Sequence, residues 1–277
     1  MGRAQRYSAL ALAGALALAV ILFTLTDRRN ALGRLRAAGV VRIGYADEAP
    51  FAMLGRNGEV IGEAPQIARH VAESLGLGRI EWHRADFPSL IPDLLAGRID
   101  VIASGLFITP ERQRRVLFSR PTMAVRQAAL VSAGNPADIG SYRDLAARAD
   151  VRVAVLADSV EDAAMTALGL GEDRLLRVPD ALTGRRAVET GLAAALLLSE
   201  PSLRWMLSCC DPGRYEVVVD AEGAAGRTAF AFRPDEPELR DAWDEVLTRY
   251  LGSPGHLDML SAFGLDWSPP DGAGGLP

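Results

Sequence analysis

The chain has 277 residues, enough for one large domain or for two lobes of ordinary size. Hydrophobic residues make up 49% and charged residues 23%, a globular composition without collagen-like or disordered bias. The net charge is -5 and no Lys/Arg-rich stretch stands out, so the composition argues against nucleic-acid binding.

The N-terminal segment, residues 1–30, predicts export. Two arginines precede an apolar run from Ala9 to Phe23, and an Asp-Arg-Arg sequence follows it. This is the layout of a secretory signal peptide or of an uncleaved signal anchor over residues 8–26. We therefore expect a periplasmic protein, and the sequence leaves open whether it is released or stays anchored in the membrane.

The sequence predicts no metal and no cofactor. The two cysteines, Cys209 and Cys210, are adjacent, so a bond between them could not join distant parts of the fold, and we interpret them as free or loop cysteines. The three histidines stand alone, without a second ligand at metal-binding spacing: His70, His83 and His256. No Gly-x-Ser-x-Gly sequence or Cys/His pairing suggests a nucleophile.

Strands and helices alternate in the first part of the chain. Apolar runs predict strands at "VVRIGYA", "RIEWHRA" and "DVIASG", and helical spacing predicts helices within "APQIARHVAESLGLG" and "FPSLIPDLLAGRID". This alternation implies right-handed crossovers and a mainly parallel sheet.

A second unit with the same alternation begins near Asn135-Pro136. Strands are predicted at "VRVAVLA", "RLLRV" and "LAAALLLS", with helices at "SYRDLAA", "SVEDAAMTALGLG" and "ALTGRRAVETG". The later strand "GRTAFAFRP" then returns to the first unit, and amphipathic helices follow it.

These units predict an α/β fold of two lobes with mainly parallel sheets. The expected parts are lobe 1 (35–125 and 231–267), lobe 2 (132–225) and a disordered Pro/Gly-rich tail (268–277). Two short crossings, at about 124–132 and 226–233, would form a hinge, and a small ligand would bind in the cleft between the lobes.

Four stretches carry a family resemblance: "VRIGYADEAPF", "GEVIGEAPQIARHVAESLG", "FPSLIPDLLAGRIDVIASGLFITPERQRRVLFSRP" and "AFAFRPDEPELRDAWDEVL". Together they resemble the family 3 extracellular solute-binding proteins of amino-acid-type ABC importers, over about 35–267. Within that family the chain is most similar to the ectoine/hydroxyectoine-binding branch. The resemblance implies a type II periplasmic-binding fold and a monomeric, non-enzymatic protein, which closes on a small solute and presents it to an inner-membrane permease.

The resemblance also implies a pocket in the first lobe. The arginine of the family's Thr-x-Glu-Arg motif, which takes the ligand carboxylate, falls on Arg112. The acidic residue of the ectoine binders' first loop falls on Glu48. Their three cage aromatics fall on Phe51, Phe87 and Phe107, of which the second is commonly a tyrosine.

In the second lobe the family's small hydroxyl residue, after the "VxVL" strand, falls on Ser159 or Val160. Amino-acid binders usually have an aspartate that holds the ligand's ammonium where this chain has Ser199. Ser104 and Gly105, at the end of the strand that leads to the third cage aromatic, complete the expected ligand-binding set.

The residue types themselves favour a zwitterionic compatible solute. A guanidinium fork matches a carboxylate, and the start of a helix next to Arg112 would share that anion. A delocalised ring amidinium suits aromatic ring faces, whereas a plain ammonium would prefer a carboxylate.

Alternatives remain open at this point. The ligand could be a polar amino acid or an opine-like compound. The chain could also be an enzyme similar to the periplasmic cyclohexadienyl dehydratases, although no second cleft carboxylate beside Arg112 is evident in the sequence. A membrane-anchored sensor or accessory binder is a further alternative.

Overall fold

The computed structural model describes residues 30–209, 213–267 and 269. The apolar export segment, Cys210 and nearly all of the predicted disordered tail lie outside these residues. No helix in the described part of the chain is long and apolar enough to cross a membrane.

The first stretch of chain builds most of one sheet and its covering helices. Its elements are α1 (Ala31–Ala38), β1 (Val40–Tyr45), β2 (Met53–Leu54), β3 (Val60–Ile61), α2 (Glu63–Ser74), β4 (Arg79–Arg84), a 3-10 turn (Phe87–Ser89), α3 (Leu90–Leu95), β5 (Val101–Phe107), α4 (Pro110–Gln113), β6 (Leu117–Phe118) and β7 (Met123–Val125).

The middle stretch builds the second sheet, and the last stretch returns to the first. The middle elements are β8 (Gln127–Ser132), α5 (Tyr142–Ala147), β9 (Val153–Leu156), α6 (Val160–Ala167), β10 (Leu175–Val178), α7 (Ala181–Glu189), β11 (Ala195–Ser199), α8 (Glu200–Ser208) and β12 (Tyr215–Val219). The returning elements are β13 (Gly226–Phe232), α9 (Pro237–Tyr250) and α10 (Pro254–Ala262).

The two larger sheets are similar in plan, which confirms the expected α/β class. Both sheets are mixed rather than mainly parallel, because the strands next to the crossings run antiparallel to their neighbours. The first has the strand order β4-β1-β5-β13-β6, with β7 also paired to β13, and the second has the order β10-β9-β11-β8-β12. In each, three neighbouring strands are parallel, and the strands next to the crossings between the sheets pair antiparallel. The short β2 and β3 form a separate two-stranded ribbon. We call the unit built on the first sheet lobe 1 and the unit built on the second sheet lobe 2.

The chain crosses between the sheets twice. The first crossing is Arg126, between β7 and β8, and the second is 220–225, between β12 and β13. The predicted crossing at 124–132 contains Arg126 but extends into β7 and β8, and the predicted crossing at 226–233 is wrong, because residues 226–232 form β13. An extended linker and a strand have the same sequence pattern. We propose lobe boundaries at the two observed crossings, so that the returning part of lobe 1 begins at 226 rather than 231.

The apolar face of α9 packs against β13 and fixes the returning part of the chain in lobe 1. Trp243 of α9 is fully buried. Its ring lies 5.3 Å from that of Phe230 and 5.6 Å from that of Phe232, both on β13. Aromatic pairs at these distances add to the free energy gained by burying the rings. This contact holds β13 in the sheet, next to the strand that ends at the predicted site.

Candidate functional site

Arg112 lies at the junction of the two lobes. Thr109 caps α4 and accepts a hydrogen bond from the backbone N–H of Arg112 at 3.2 Å. The guanidinium is buried, and it donates from Nη1 to the carbonyl of Phe107 at 3.0 Å and from Nη2 to the carbonyl of Asp158 at 2.8 Å. Asp158 belongs to lobe 2, so this side chain links the lobes directly. Because α4 has only four residues, the guanidinium itself, rather than a helix terminus, supplies most of the positive charge here.

Burial and charge act on Arg112 in opposite directions. Burial lowers the pKa of the guanidinium, while the negative charges of Glu161, Glu111 and Asp158 raise it. The ring of Phe87 covers one face, with its centroid 5.4 Å from Cζ. This is a cation–π geometry in a partly dry setting.

An interlobe cavity of about 750 Å³ opens beside Arg112. Phe87 and Arg112 line it from lobe 1, and Ser159 and Val160 line it from lobe 2. Four of the expected ligand-binding residues therefore face one space. The Ser159 hydroxyl also caps α6, accepting a hydrogen bond from the N–H of Asp162 at 3.1 Å.

The three expected cage rings do not form one cluster. Phe51 is buried and packs in the same apolar cluster as Phe107, while Phe87 packs against the cluster that contains Leu90. Arg112 lies between the two groups, since it touches the Phe87 ring and the Phe107 carbonyl. The structure thus places Phe51 and Phe107 in one apolar cluster and Phe87 in another, so the three rings do not form the single cage that the resemblance implied.

A further aromatic residue, Trp205, approaches the ring pair from lobe 2. It lies on α8 and packs against the apolar cluster that holds Phe51 and Phe107. Its ring centroid is 6.4 Å from that of Phe263 in lobe 1. Helical periodicity alone does not predict this contact, because it does not tell a core face from a face that meets the other lobe.

Ser104 and Gly105 have structural roles that shape the pocket. The Ser104 hydroxyl oxygen accepts a hydrogen bond of 2.9 Å from the N–H of Ala46, which ties β5 to the end of β1. Gly105 has φ +59, and a Cβ there would lie 2.7 Å from Cγ of Phe51. A glycine is therefore needed for the Phe51 ring to reach its place against the sheet.

Glu48 contacts lobe 2 through two serines. Its Oε1 accepts a hydrogen bond of 2.6 Å from the hydroxyl of Ser202, and the hydroxyl oxygen of Ser199 lies 3.5 Å from it. Ser199 caps α8 and donates its own hydroxyl to Ser202 Oγ at 2.8 Å. Burial raises the pKa of Glu48, and the two hydroxyls partly oppose this. Ser199, at the position of the family's usual aspartate, thus belongs to a hydroxyl chain that ends on a carboxylate of the other lobe.

Ser202 and Glu161 were not predicted from the sequence. Ser202 follows the cap Ser199 by three residues, a spacing that brings it back to the start of the helix. Glu161 follows the cap Ser159 by two residues, in the first turn of α6, and is only 3% exposed. Polar residues in a first helical turn are usually solvated, so neither spacing alone predicts a cleft residue.

Glu161 is a buried carboxyl group in the first turn of α6, next to the cavity-lining residues Ser159 and Val160. Burial raises its pKa to about 7, the charge of Glu48 adds to this, and Ser159 and Arg112 act in the opposite direction. Glu161 therefore lies near groups of both signs from lobe 1. Glu111 and Asp158 line the cavity together with Arg112, so the expectation that no second cleft carboxylate stands beside Arg112 is wrong.

Taken together, the junction places one buried cation, two carboxylates and several ring faces between two lobes. Such a set can hold a small molecule that carries both an anionic and a cationic group. No group of three or more His, Cys, Asp or Glu side chains suited to a metal ion occurs among the described residues.

Comparison with known proteins gives similarity over most of the chain. A probable amino-acid ABC transporter periplasmic-binding protein of Sinorhizobium fredii is 30% identical over 240 residues, which cover 84% of this chain and 79% of that protein. The crystal structure of EhuB in complex with hydroxyectoine superimposes with a TM-score of 0.82 at 30% identity, covering 87% of this chain and 93% of EhuB.

An enzyme also occurs among the relatives. The cyclohexadienyl dehydratase of Pseudomonas aeruginosa is 32% identical over 99 residues, which cover 35% of this chain and 37% of the enzyme. This similarity is limited to a part of the chain, whereas the binding proteins above match nearly all of it. Residues 41–258 match the sequence profile of the bacterial extracellular solute-binding proteins, family 3, and the chain therefore belongs to that family, as its motifs predicted.

Proposed function

We propose that the protein is the substrate-binding component of an ABC importer, and that it binds a small zwitterionic compatible solute, ectoine or hydroxyectoine, between its lobes. The solute carboxylate would bind Arg112, its delocalised cation would lie against Phe87, the one predicted cage ring that lines the cavity, and Glu48 would balance the cation. After closure an inner-membrane permease would receive the solute. We further propose that the protein is periplasmic and monomeric, and that it catalyses no reaction.

One observation carries this proposal: a buried guanidinium bridges the lobes while a carboxylate on the same lobe also reaches across. Arg112 contacts Asp158, and Glu48 contacts Ser202. Opposite charges thus act at two separate points of one interlobe junction, as a dipolar solute requires. The similarity to EhuB, crystallised with hydroxyectoine, supports the same class of ligand.

Phe87 favours the delocalised cation over a plain ammonium. The ring already covers the Arg112 guanidinium at 5.4 Å, which is itself a planar, delocalised cation. Phe87 offers only its ring face, and it departs here from the tyrosine that is common among ectoine binders.

A polar amino acid is the second candidate, and Glu161 is the observation that favours it. An α-ammonium needs a carboxylate partner, which Ser199 cannot provide. Glu161 supplies a buried carboxylate from the same lobe. The relative from Sinorhizobium fredii, described as a probable amino-acid transporter component, supports this candidate as well.

Isothermal titration calorimetry of the purified protein tests both candidates. The panel is ectoine, hydroxyectoine, glycine betaine and the polar and basic amino acids, each at neutral pH. We expect tight binding of ectoine or hydroxyectoine and weak or no binding of the amino acids. Tight binding of an amino acid with no response to either ectoine would overturn the compatible-solute proposal and leave the second candidate.

The enzyme alternative needs its own assay, because Glu161 is a carboxyl group beside Arg112 that could act as a general acid. Prephenate and arogenate are incubated with the protein, and product formation is followed. We expect no turnover. Turnover that is lost in Glu161→Gln would establish the enzyme in place of the binding protein.

A further inference from the structure

An apolar cluster of lobe 1 receives a side chain from lobe 2, Trp205. The buried members of the cluster all belong to lobe 1: Phe51, Met123, Val125, Leu260, Phe263 and Leu265. Among the described residues that pack against them, Trp205 is the one that lies on an element of lobe 2, helix α8. Its ring centroid is 6.4 Å from that of Phe263, with an angle of 45° between the ring planes. The lobes therefore share an apolar contact besides the polar ones.

The turn that ends α10 fixes Phe263 on lobe 1. The backbone N–H groups of Phe263 and Leu265 both donate to the carbonyl of Leu260, at 2.9 and 3.0 Å. Such paired bonds to one of the last carbonyls are a common way of ending a helix. Further along the chain, the Trp267 ring lies edge-on to His256 of α10, with 5.8 Å between the ring centroids. The Phe263 ring therefore moves with lobe 1, whereas the Trp205 ring moves with lobe 2.

Helix α8 also carries a polar contact to lobe 1. Ser202 precedes Trp205 by three residues, so the two side chains lie on neighbouring turns of one helix face. The Ser202 hydroxyl donates to Glu48 at 2.6 Å. Glu48 and Phe51 lie in one short loop, which two backbone hydrogen bonds between Glu48 and Ala52 close at 2.8 and 3.0 Å. One face of α8 therefore meets lobe 1 at two points, one polar and one apolar.

The two kinds of contact differ in what happens when the lobes separate. The groups of Ser202 and Glu48 can form hydrogen bonds with water, so part of the free energy of the polar contact is recovered in the open form. The rings of Trp205 and Phe263 have no such replacement, and exposing them to water costs free energy in proportion to their apolar area. The apolar contact therefore favours the closed form whether or not a solute is bound.

We propose that Trp205 and Phe263 form an apolar latch between the lobes, which keeps a fraction of the ligand-free protein in the closed form. A solute then completes a closure that is already partly populated. The apparent affinity depends on the fraction of protein in the binding-competent form, so the latch strengthens solute binding although neither ring has to touch the solute. Because the latch acts on the lobes, it does not depend on which solute the protein binds.

Small-angle X-ray scattering of the ligand-free protein tests the latch. The variants are Trp205→Ala, Phe263→Ala and the double variant, and Leu257→Ala is the control, since Leu257 is an exposed leucine of α10. We expect a larger radius of gyration in each single variant and the wild-type value in the control. The double variant should open no further than the single ones, because either change already removes the shared contact. Trp205→Phe keeps a ring on α8 and should restore most of the wild-type value.

Calorimetric titration of the same variants with ectoine gives a second readout. The dissociation constant should rise about two- to tenfold in both single variants, which is the effect of losing an aromatic contact, and stay unchanged in Leu257→Ala. A rise in Trp205→Ala without one in Phe263→Ala would assign the Trp205 ring to the solute site and overturn the latch.

The outcomes separate the latch from the proposed function. A wild-type radius of gyration in a folded Trp205→Ala variant overturns the latch, and so do additive increases in the double variant. Should Phe263→Ala fail to fold, the comparison of Trp205→Ala with Trp205→Phe decides alone. If neither ectoine nor hydroxyectoine binds, the proposed function fails, while the scattering of the ligand-free variants still decides for or against the latch.

Discussion

Arg112 in lobe 1 donates a hydrogen bond of 2.8 Å to the backbone carbonyl of Asp158 in lobe 2. Asp158 has φ +58, a left-handed conformation that aspartate tolerates better than most residues. Its N–H is held by the carboxylate of Asp162, which in turn pairs with Arg177. The loop that meets the guanidinium is therefore fixed from within lobe 2, and Arg112 can only reach it when the lobes are close together.

Replacing Arg112 by lysine keeps the charge and removes the planar fork. We expect the affinity for the solute to fall about 10–100-fold, because a hydrogen bond to a charged group contributes roughly 1.5–3 kcal/mol. Calorimetry measures the change. Arg114→Lys, which alters an exposed arginine two positions away, is the control and should bind as the wild type does. Wild-type affinity in Arg112→Lys would contradict the role of the guanidinium.

Replacing Ser202 by alanine removes the short hydrogen bond to Glu48. We expect the ligand-free protein to populate the open form more, because a hydrogen bond between the lobes is lost and a half-buried carboxylate keeps only its longer contact to Ser199. Small-angle X-ray scattering should give a larger radius of gyration without solute and the wild-type value at saturation. Ser208→Ala, near the other end of the same helix, should leave the scattering unchanged. A radius of gyration equal to that of the wild type would argue against a closing role for Ser202.

Replacing Gly105 by alanine tests how the Phe51 ring is placed. The new Cβ would have to fit 2.7 Å from Cγ of a ring that is only 2% exposed, in addition to the strain of a positive φ. Gly58→Ala is the matched control, since Gly58 has φ +80 and open space around it. We expect the control to lose about 1–2 kcal/mol in the free energy of unfolding and Gly105→Ala to lose roughly 1–3 kcal/mol more. Urea denaturation measures both, and equal losses would mean that the Phe51 ring moves freely.

Replacing Glu63 by glutamine tests a buried carboxyl group outside the cleft. Glu63 is 1% exposed, neither carboxylate oxygen has a hydrogen bond of good geometry among the described residues, and burial raises its pKa to about 7 despite the opposing effect of Thr122. The native state therefore holds a proton that the unfolded chain releases near pH 4.5. The stability that this proton provides is present at acid pH and is lost as pH rises to about 7.

Glu63→Gln should therefore be more stable than the wild type at pH 8, by up to about 3 kcal/mol, and similar to it at pH 4. Thermal and urea unfolding across this range measure the difference. The exposed Glu73→Gln on the same helix should show no such gain. A constant difference between wild type and Glu63→Gln at all pH values would contradict the raised pKa.

Local patterns predicted most of the fold. The predicted strand "DVIASG" lies within β5 and extends to Phe107, and "GRTAFAFRP" is β13, a strand of the first sheet, as expected. These segments are apolar on both sides because the sheets are covered on both faces, and such runs are strong strand signals. The exact crossings between the lobes were less predictable, since they are extended like the strands that flank them.

A site residue could be predicted from the sequence only where a known motif stands at the end of a predicted strand. Arg112 lies next to a helix cap at the end of a strand, and the structure brings it to the lobe junction. Glu161 and Ser202 were missed because their burial depends on how the other lobe packs over them, which no local pattern records. The grouping of Phe51 with Phe107, apart from Phe87, likewise depends on long-range packing.

The position of β13 has a consequence for synthesis on the ribosome. The strands of lobe 2 come from one continuous stretch, 127–219, whereas β13 lies in the middle of the first sheet, between β5 and β6. A nascent chain that has emerged as far as β12 can complete the second sheet, but β5 still has an unpaired edge. Lobe 1, which holds Arg112, is thus begun first and finished last.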